Sequence, residues 1–389
     1  MKFNRVFLIV CDSLGAGEAK DAIDYDSVGA STLGHINEQC NLFVPNLKKL
    51  GFLNVLDMTE NKETEAYYTI ARPTNAGKDT LTGHYEIMGI KNVVPYKTFT
   101  ETGFPEELIK EIEEKTGRKV IGNVAASGTE IIKTLGMEQA KTGALIVYTS
   151  ADSVLQVAAH EKIIPLQELY KDCEIIRELT KKKEWRVGRI IARPFIGNTK
   201  DEFKRTNNRH DYALDPPSKS VLDSLKEANY NVISIGKIYD IFNGCGITKK
   251  ITSGTNKEGV DKLLNIMDKK FNGLCFANLN DFDTLYGHRR NIEGYKEAIE
   301  SLDVEIPIIL NKLKNDDLLI ITADHGNDPT YKGSDHTREN VPVIIYNRLF
   351  KEPKILPILE TFADIGATIA DNFGVEKPEI GTSFLDKLK

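Results

Sequence analysis

The sequence predicts an α/β core interrupted by an α+β insertion, and three observations predict it. Apolar runs at 6–10, 274–279 and 318–321 are continuous, not alternating, as in strands of a sheet covered on both faces. Each run delivers acids or imidazoles where it stops: Asp12 after the first, Asp283 and His288 after the second, Asp324, His325 and His336 after the third. Between residues 97 and 213 this pattern is missing, and short strands and amphipathic helices take its place.

Taken in order, the strand at 6–10 is followed by Cys11, Asp12, Ser13, Leu14, Gly15, Ala16 and Gly17. Residues 13–34, rich in Gly, Asp and Ser, read as a long active-site loop. Gly15 and Gly17 lack the third glycine of a dinucleotide fingerprint and an Asp stands in the turn, so nucleotide binding is not expected there. A short helix is expected at 45–50. Residues 71–90 are polar, punctuated by glycine and without a clear period, and a loop of that kind needs a function. It brings Lys78, Asp79, Thr80, Thr82 and His84 together. Asp79 or Thr82 can cap a helix there, and a hydroxyl at a helix N-terminus is where a phosphoryl group is stabilised.

The inserted segment opens with a helix at 105–116, with Leu108, Ile109 and Ile112 on one face and Gly117 ending it. Strands at 119–122 and 144–149, a loop at 150–153, a helix at 166–180 and a strand at 186–192 follow. Pro216 and Pro217 form a stiff connection suited to a boundary. Beyond it βα order resumes: helix 221–228, strand 231–235, helix 260–271, strand 274–279, helix 295–313, strand 318–321, strand 341–346 and helix 361–372, closed by Gly374. Residues 1–96 and 214–389 therefore read as one discontinuous α/β sandwich, and 97–213 as an inserted cap.

Composition bounds the function. The 389 residues, 41% hydrophobic and 28% charged, are those of an ordinary globular protein, and a net charge of −6 without a basic tract argues against nucleic acid. The five cysteines are odd in number and scattered, as expected of reduced thiols in a cytoplasmic protein. The first apolar run is five residues long and runs into an Asp, so it reads as a strand and not a signal peptide. No stretch approaches the ~20 apolar residues of a membrane span.

Three strand ends carrying Asp and His point to a shared centre for divalent cations, since carboxylate oxygens and imidazole nitrogens suit Mn2+ or Zn2+. One division puts Asp283, His288 and His336 on one ion and Asp12, Asp324 and His325 on another, with Thr80 between them. Two ions around a hydroxyl suit in-line displacement at phosphorus, with the hydroxyl as nucleophile. A cap carrying Asp152, Arg189, Arg193, Lys204 and Arg205 would close over such a site, exclude water and hold a sugar or its phosphate.

The segments CDSLGAGE, GKDTLTGHYE, YTSADSVLQVAAHE, ARPF, NRHDY, NLNDFDTLYGHRR and TADHGNDPTYKGSDHTRE, in that order, resemble the bacterial phosphopentomutases of the alkaline phosphatase superfamily over essentially the whole chain. The resemblance implies an alkaline-phosphatase-like three-layer sandwich with an inserted α+β cap. It implies interconversion of ribose or deoxyribose 1-phosphate with the 5-phosphate in nucleoside salvage, through a phosphothreonine at Thr80. It further implies two Mn2+ ions on Asp12, Asp283, His288, Asp324, His325 and His336 and a sugar bisphosphate such as glucose 1,6-bisphosphate as activator; a monomer with no protein partner is expected. The position after TGH, often Trp in that family, is Tyr85 here, another large aromatic. A phosphoglycerate mutase would show Ser in place of Thr80 and a longer cap, a phosphomonoesterase has no need of so large a lid, and a purely structural metal protein has no need of the hydroxyl loop.

Overall fold

The structure, a computed structural model, describes residues 2–58, 63–91, 96–150 and 153–389. It divides into two compact units, Met1–Val94 with Pro216–Lys389, and Pro95–Asp215.

The first unit is built on a seven-stranded sheet in the order Lys249–Ile251, Asn231–Ile235, Gly273–Leu279, Arg5–Cys11, Asp317–Thr322, Val341–Tyr346, Tyr67–Ala71. The first five strands are parallel, and Val341–Tyr346 runs against both of its neighbours. All residues of Arg5–Cys11, Gly273–Leu279 and Asp317–Thr322 are buried, which explains their unbroken apolar runs. Helices Thr32–Cys40, Pro45–Lys49, Asn256–Met267 and Ile292–Lys312 pack together as one layer, and Thr80–Ile87, Val221–Glu227, Ile238–Ile241 and Ala363–Phe373 as another. With the sheet between them, the unit is a three-layer sandwich. At the opposite end of the central strands from Asp12, Arg5 forks onto Asp317 (Nε to Oδ1 2.7 Å, Nη2 to Oδ2 2.6 Å) and donates to the Met267 carbonyl, so this buried charge is fully paired.

The second unit has its own sheet, ordered Val120–Ala125, Leu145–Thr149, Val154–His160, Arg189–Ile196, Lys204–Arg205, with His210–Ala213 also paired to Arg189–Ile196. Leu108 and Ile112 of helix Glu106–Thr116 join Leu169 and Ile176 of helix Leu166–Leu179 in one core, and Ile131 and Ile132 of helix Gly128–Thr142 join Phe195 and Phe203 in another. No helix among the described residues is long and apolar enough to cross a membrane.

Several elements differ from the sequence reading. Residues 13–34 are not loop throughout, because helix Thr32–Cys40 begins within them; Gly34 and a polar remainder hide its short buried stripe of Leu33, Ile36 and Cys40. Strand Val154–His160 carries Gln, two Ala and His, poor strand formers that two flanking strands hold in place. Helix Gly128–Thr142 went unread for a related reason, since Gly, Thr and Lys interrupt its apolar positions.

Candidate metal centre

Register places the donors. Cys11 pairs with Leu279 and Val10 with Thr322, so three adjacent parallel strands end side by side, at the edge where open α/β sheets bind ligands. Asp12, fully buried, accepts from Asn278 Nδ2 through Oδ2 at 2.9 Å. The chain then turns at Ser13, whose φ of 69° is left-handed, and the Ser13 N–H donates to Asp324 Oδ1 at 3.0 Å. The first strand end thereby fixes the acid of the third.

Asp283 lies in a π-helical turn, Phe282–Gly287. The i to i+5 hydrogen bond from the His288 N–H to the Asp283 carbonyl, 3.0 Å, brings the two side chains onto one face, where an α-turn would set them apart. His288 Nε2 is 3.2 Å from Asp283 Oδ2, and His336 Nε2 is 3.3 Å from Oδ1. His325 Nε2 lies 3.5 Å from Asp12 Oδ1 and 3.4 Å from Asp324 Oδ2, and its ring stands 4.1 Å from that of His336. All six sequence-derived donors thus fall into one cluster. Its two triads are Asp283, His288, His336 and Asp12, Asp283, His325, with donor atoms within 4.8 Å of one another. Asp283 lies within reach of both groups, and Asp324 adjoins His325 and His84.

Divalent cations fit this cluster. His288 Nδ1 donates to the Ser334 carbonyl at 2.9 Å and His325 Nδ1 to the Gly326 carbonyl at 3.0 Å, which leaves Nε2 of each as the ligating atom. The Nε2 atoms of His288 and His336 face each other at 3.0 Å. Asp12 Oδ1 and Asp324 Oδ2 are buried and have no hydrogen-bond partner among the described residues, a costly state for carboxylate oxygens. His84 Nδ1 comes within 3.1 Å of Asp324 Oδ2, but it is committed to the Thr80 carbonyl at 2.9 Å. Burial alone would disfavour the charge on His325, but the Asp324 and Asp12 carboxylates outweigh it and hold the imidazole well above its ordinary range. Burial likewise opposes ionisation of Asp283, and His336 and His288 overcome it to hold that carboxyl well below the usual range. A field that protonates a buried imidazole is one that attracts metal ions.

Thr80 is the first residue of helix Thr80–Ile87, and its Oγ1 lies 3.3 Å from His325 Nε2. Asp79 caps the helix, accepting from the Thr82 N–H at 3.1 Å and from Thr82 Oγ1 at 2.6 Å. Gly83 permits the approach to the third strand end: a Cβ there would stand 2.0 Å from the Asp324 carbonyl oxygen. The polar stretch before the helix is braced by Glu86, which accepts from the N–H groups of Thr74 and Asn75 at 2.9 and 2.8 Å, and by Arg338, which donates to the Asn75 carbonyl at 2.8 Å and to the Gly77 carbonyl. Cys11, although adjacent to Asp12, is no rival nucleophile, because burial and the Asp324 and Asp12 charges push its thiol up.

In the second unit, Arg189 is tied loosely to Asp211 (3.7 Å), which Arg209 grips with two bonds of 2.6 Å. Arg205 Nη2 donates to Tyr148 Oη at 3.4 Å, and its buried Nε has no partner among the described residues. Burial, with the charges of Arg209 and Arg205, lowers the Arg193 guanidinium. Asp152 lies outside the described residues.

Sequence reasoning missed the residues that orient the donors, chiefly Asn278, Asn327 and Arg290. Asn278 is the one amide inside a buried apolar strand, a signal that could have been read. Asn327 and Arg290 sit in loops, where nothing in spacing distinguishes them.

A family model described as the metalloenzyme superfamily matches residues 4–377. Among solved structures, the PH0037 protein from Pyrococcus horikoshii is 15% identical with a TM-score of 0.50, covering 98% of this chain and 100% of that one. The phosphoglycerate mutase of Leishmania mexicana, solved at low cobalt concentration, is 13% identical with a TM-score of 0.51, covering 98% and 97%. At these identities the likeness concerns the fold, which is the alkaline-phosphatase-like α/β sandwich that the sequence resemblance implied.

Proposed function

The chain belongs to the metalloenzyme superfamily, and from that premise we propose that it is a phosphopentomutase, an isomerase that interconverts α-D-ribose 1-phosphate, or its 2-deoxy counterpart, with the 5-phosphate. The observation that carries the reading is the hydroxyl of Thr80, at a helix N-terminus and 3.3 Å from His325 in a cluster of six acid and imidazole donors. Asp12, Asp283, His288, Asp324, His325 and His336 would hold two Mn2+ ions. Bound ions supply charge neutralisation for the phosphoryl oxygens and lower the pKa of a hydroxyl.

The remaining work falls to the chain. Phosphorylated Thr80 gives its phosphoryl group to the free hydroxyl of the pentose monophosphate: the P–O bond to Thr80 breaks, a P–O bond to the sugar forms, and a bisphosphate results. The other phosphoryl group then returns to Thr80 Oγ1, and the sugar leaves as the isomer. Phosphate is conserved and water takes no part, so a trace of glucose 1,6-bisphosphate suffices to charge Thr80. The N-terminus of helix Thr80–Ile87 favours the added negative charge. Arg189 and Arg205 are the proposed phosphate-binding residues of the inserted unit, with Asp152 on the sugar. Such an enzyme serves nucleoside salvage in the cytoplasm and needs no protein partner.

The test is product analysis with Mn2+ and a trace of glucose 1,6-bisphosphate. Ribose 1-phosphate should become ribose 5-phosphate without free phosphate. Free phosphate as the main product would make the protein a phosphatase, and conversion of 3-phosphoglycerate to 2-phosphoglycerate in place of pentose isomerisation would favour the activity named for the Leishmania mexicana neighbour.

A further inference from the structure

Arg290, which ligates nothing in the cluster, braces the half of it that lies on loops. Its φ of 52° is left-handed, and that turn folds the side chain back across two segments. Nε donates to the Gly333 carbonyl at 2.5 Å, Nη1 to those of Gly287 and Asp328 at 3.1 and 2.9 Å, and Nη2 to that of Asp335 at 2.9 Å. Gly287 immediately precedes His288, and Asp335 immediately precedes His336. Nη1 also donates to Asn327 Oδ1 at 2.5 Å, while Asn327 Nδ2 donates to Asp283 Oδ1 at 2.8 Å. One guanidinium therefore bears on Asp283, His288 and His336 together.

The other donors are held differently. Asp12 rests on Asn278 of a buried strand, and Asp324 on the Ser13 N–H. We infer that Arg290 is a positioning residue that sets the metal affinity of the Asp283, His288, His336 position and leaves that of the Asp12, Asp324, His325 position unchanged. The role needs arginine, because a planar fork of five donors can bridge separate carbonyls, whereas lysine offers a single point of charge. The inference rests on the two-ion reading given above.

Equilibrium dialysis with Mn2+ alone, together with the electron paramagnetic resonance spectrum, tests it on wild type, Arg290→Met, Arg290→Lys and Asn327→Ala. Wild type should take two ions with a spin-coupled spectrum. Arg290→Met should keep one ion at wild-type affinity and bind the second roughly 10–100-fold more weakly, with the uncoupled spectrum of an isolated ion. Arg290→Lys should fail to restore the second ion. Asn327→Ala keeps the carbonyl bridges and should shift the same ion by less; it carries the test if Arg290→Met does not fold by circular dichroism. Parallel weakening of both ions, or of neither, would overturn the role of Arg290. Fewer than two ions on the wild type would instead overturn the two-ion reading, and this inference with it.

Discussion

The acid and imidazole cluster of the first unit and the guanidinium cluster of the second are opposite electrostatic constructions. In the first, buried carboxylates crowd together with oxygens that have no hydrogen-bond partner among the described residues, and the field raises His325 while Asp283 is held low. In the second, Arg193, Arg205 and Arg209 gather near Tyr148 with Asp211 as their nearby acid, and they remain partly in contact with solvent. On the proposed function the first arrangement would be completed by cations and the second by an anion. The difference teaches a division of labour: residues of the first unit should govern kcat, and those of the second KM.

Substitutions separate the two. If Thr80 is the phosphoryl carrier, Thr80→Ala should lower kcat by on the order of 10^4-fold or more, with Mn2+ binding retained; steady-state isomerisation and metal titration measured on one preparation check both halves. Asp324→Asn takes a charge from a fully buried donor that the Ser13 N–H fixes, and should lower kcat by on the order of 10^2–10^3-fold. Arg205→Ala should leave kcat near wild type and raise KM for ribose 1-phosphate about 10–100-fold, the size of a lost charged hydrogen bond. Arg189→Ala should also raise KM but by less, about threefold to tenfold, because Asp211, 3.7 Å away, already offsets part of its charge. If Arg205→Ala lowers kcat as Asp324→Asn does, the division between the units fails.

Acidity sharpens the same contrast. In chelator-treated protein, His325 has a folded pKa raised above the unfolded 6.5. Its contribution to stability is therefore fully present below about pH 6.5 and is lost as pH rises through the higher folded value. Asp283 is shifted the other way, so its contribution is present above about pH 3.8 and lost as pH falls through the lower folded value. The melting temperature of metal-free protein should thus decline toward alkaline pH. Bound Mn2+ requires a neutral imidazole and releases that proton, so the loaded protein should lose this decline. Thermal melts across pH with and without Mn2+ provide the comparison.

Legibility in the sequence followed the same line. Asp12, Asp283 and Asp324 could be found because a buried strand writes an unbroken apolar run, and a polar residue at its end is conspicuous. His84 and Gly83 were visible only as parts of an aperiodic stretch; the contact of Gly83 with the Asp324 carbonyl spans some 240 residues of chain, which no local pattern records. Arg290 and Asn327 were harder still, since a loop arginine on the surface and one bridging four carbonyls look alike until the chain is folded. Strand Val154–His160 was lost because its pairing partners, and not its own residues, hold it extended.

The most direct test of the account is the fate of a labelled phosphoryl group. Protein charged with glucose 1,6-bisphosphate carrying 32P should yield, on digestion and mass analysis, label on the peptide containing Thr80, and unlabelled ribose 1-phosphate should then remove that label into a pentose phosphate, not into free phosphate. Label on another residue, or its release as inorganic phosphate when the pentose is added, would contradict it.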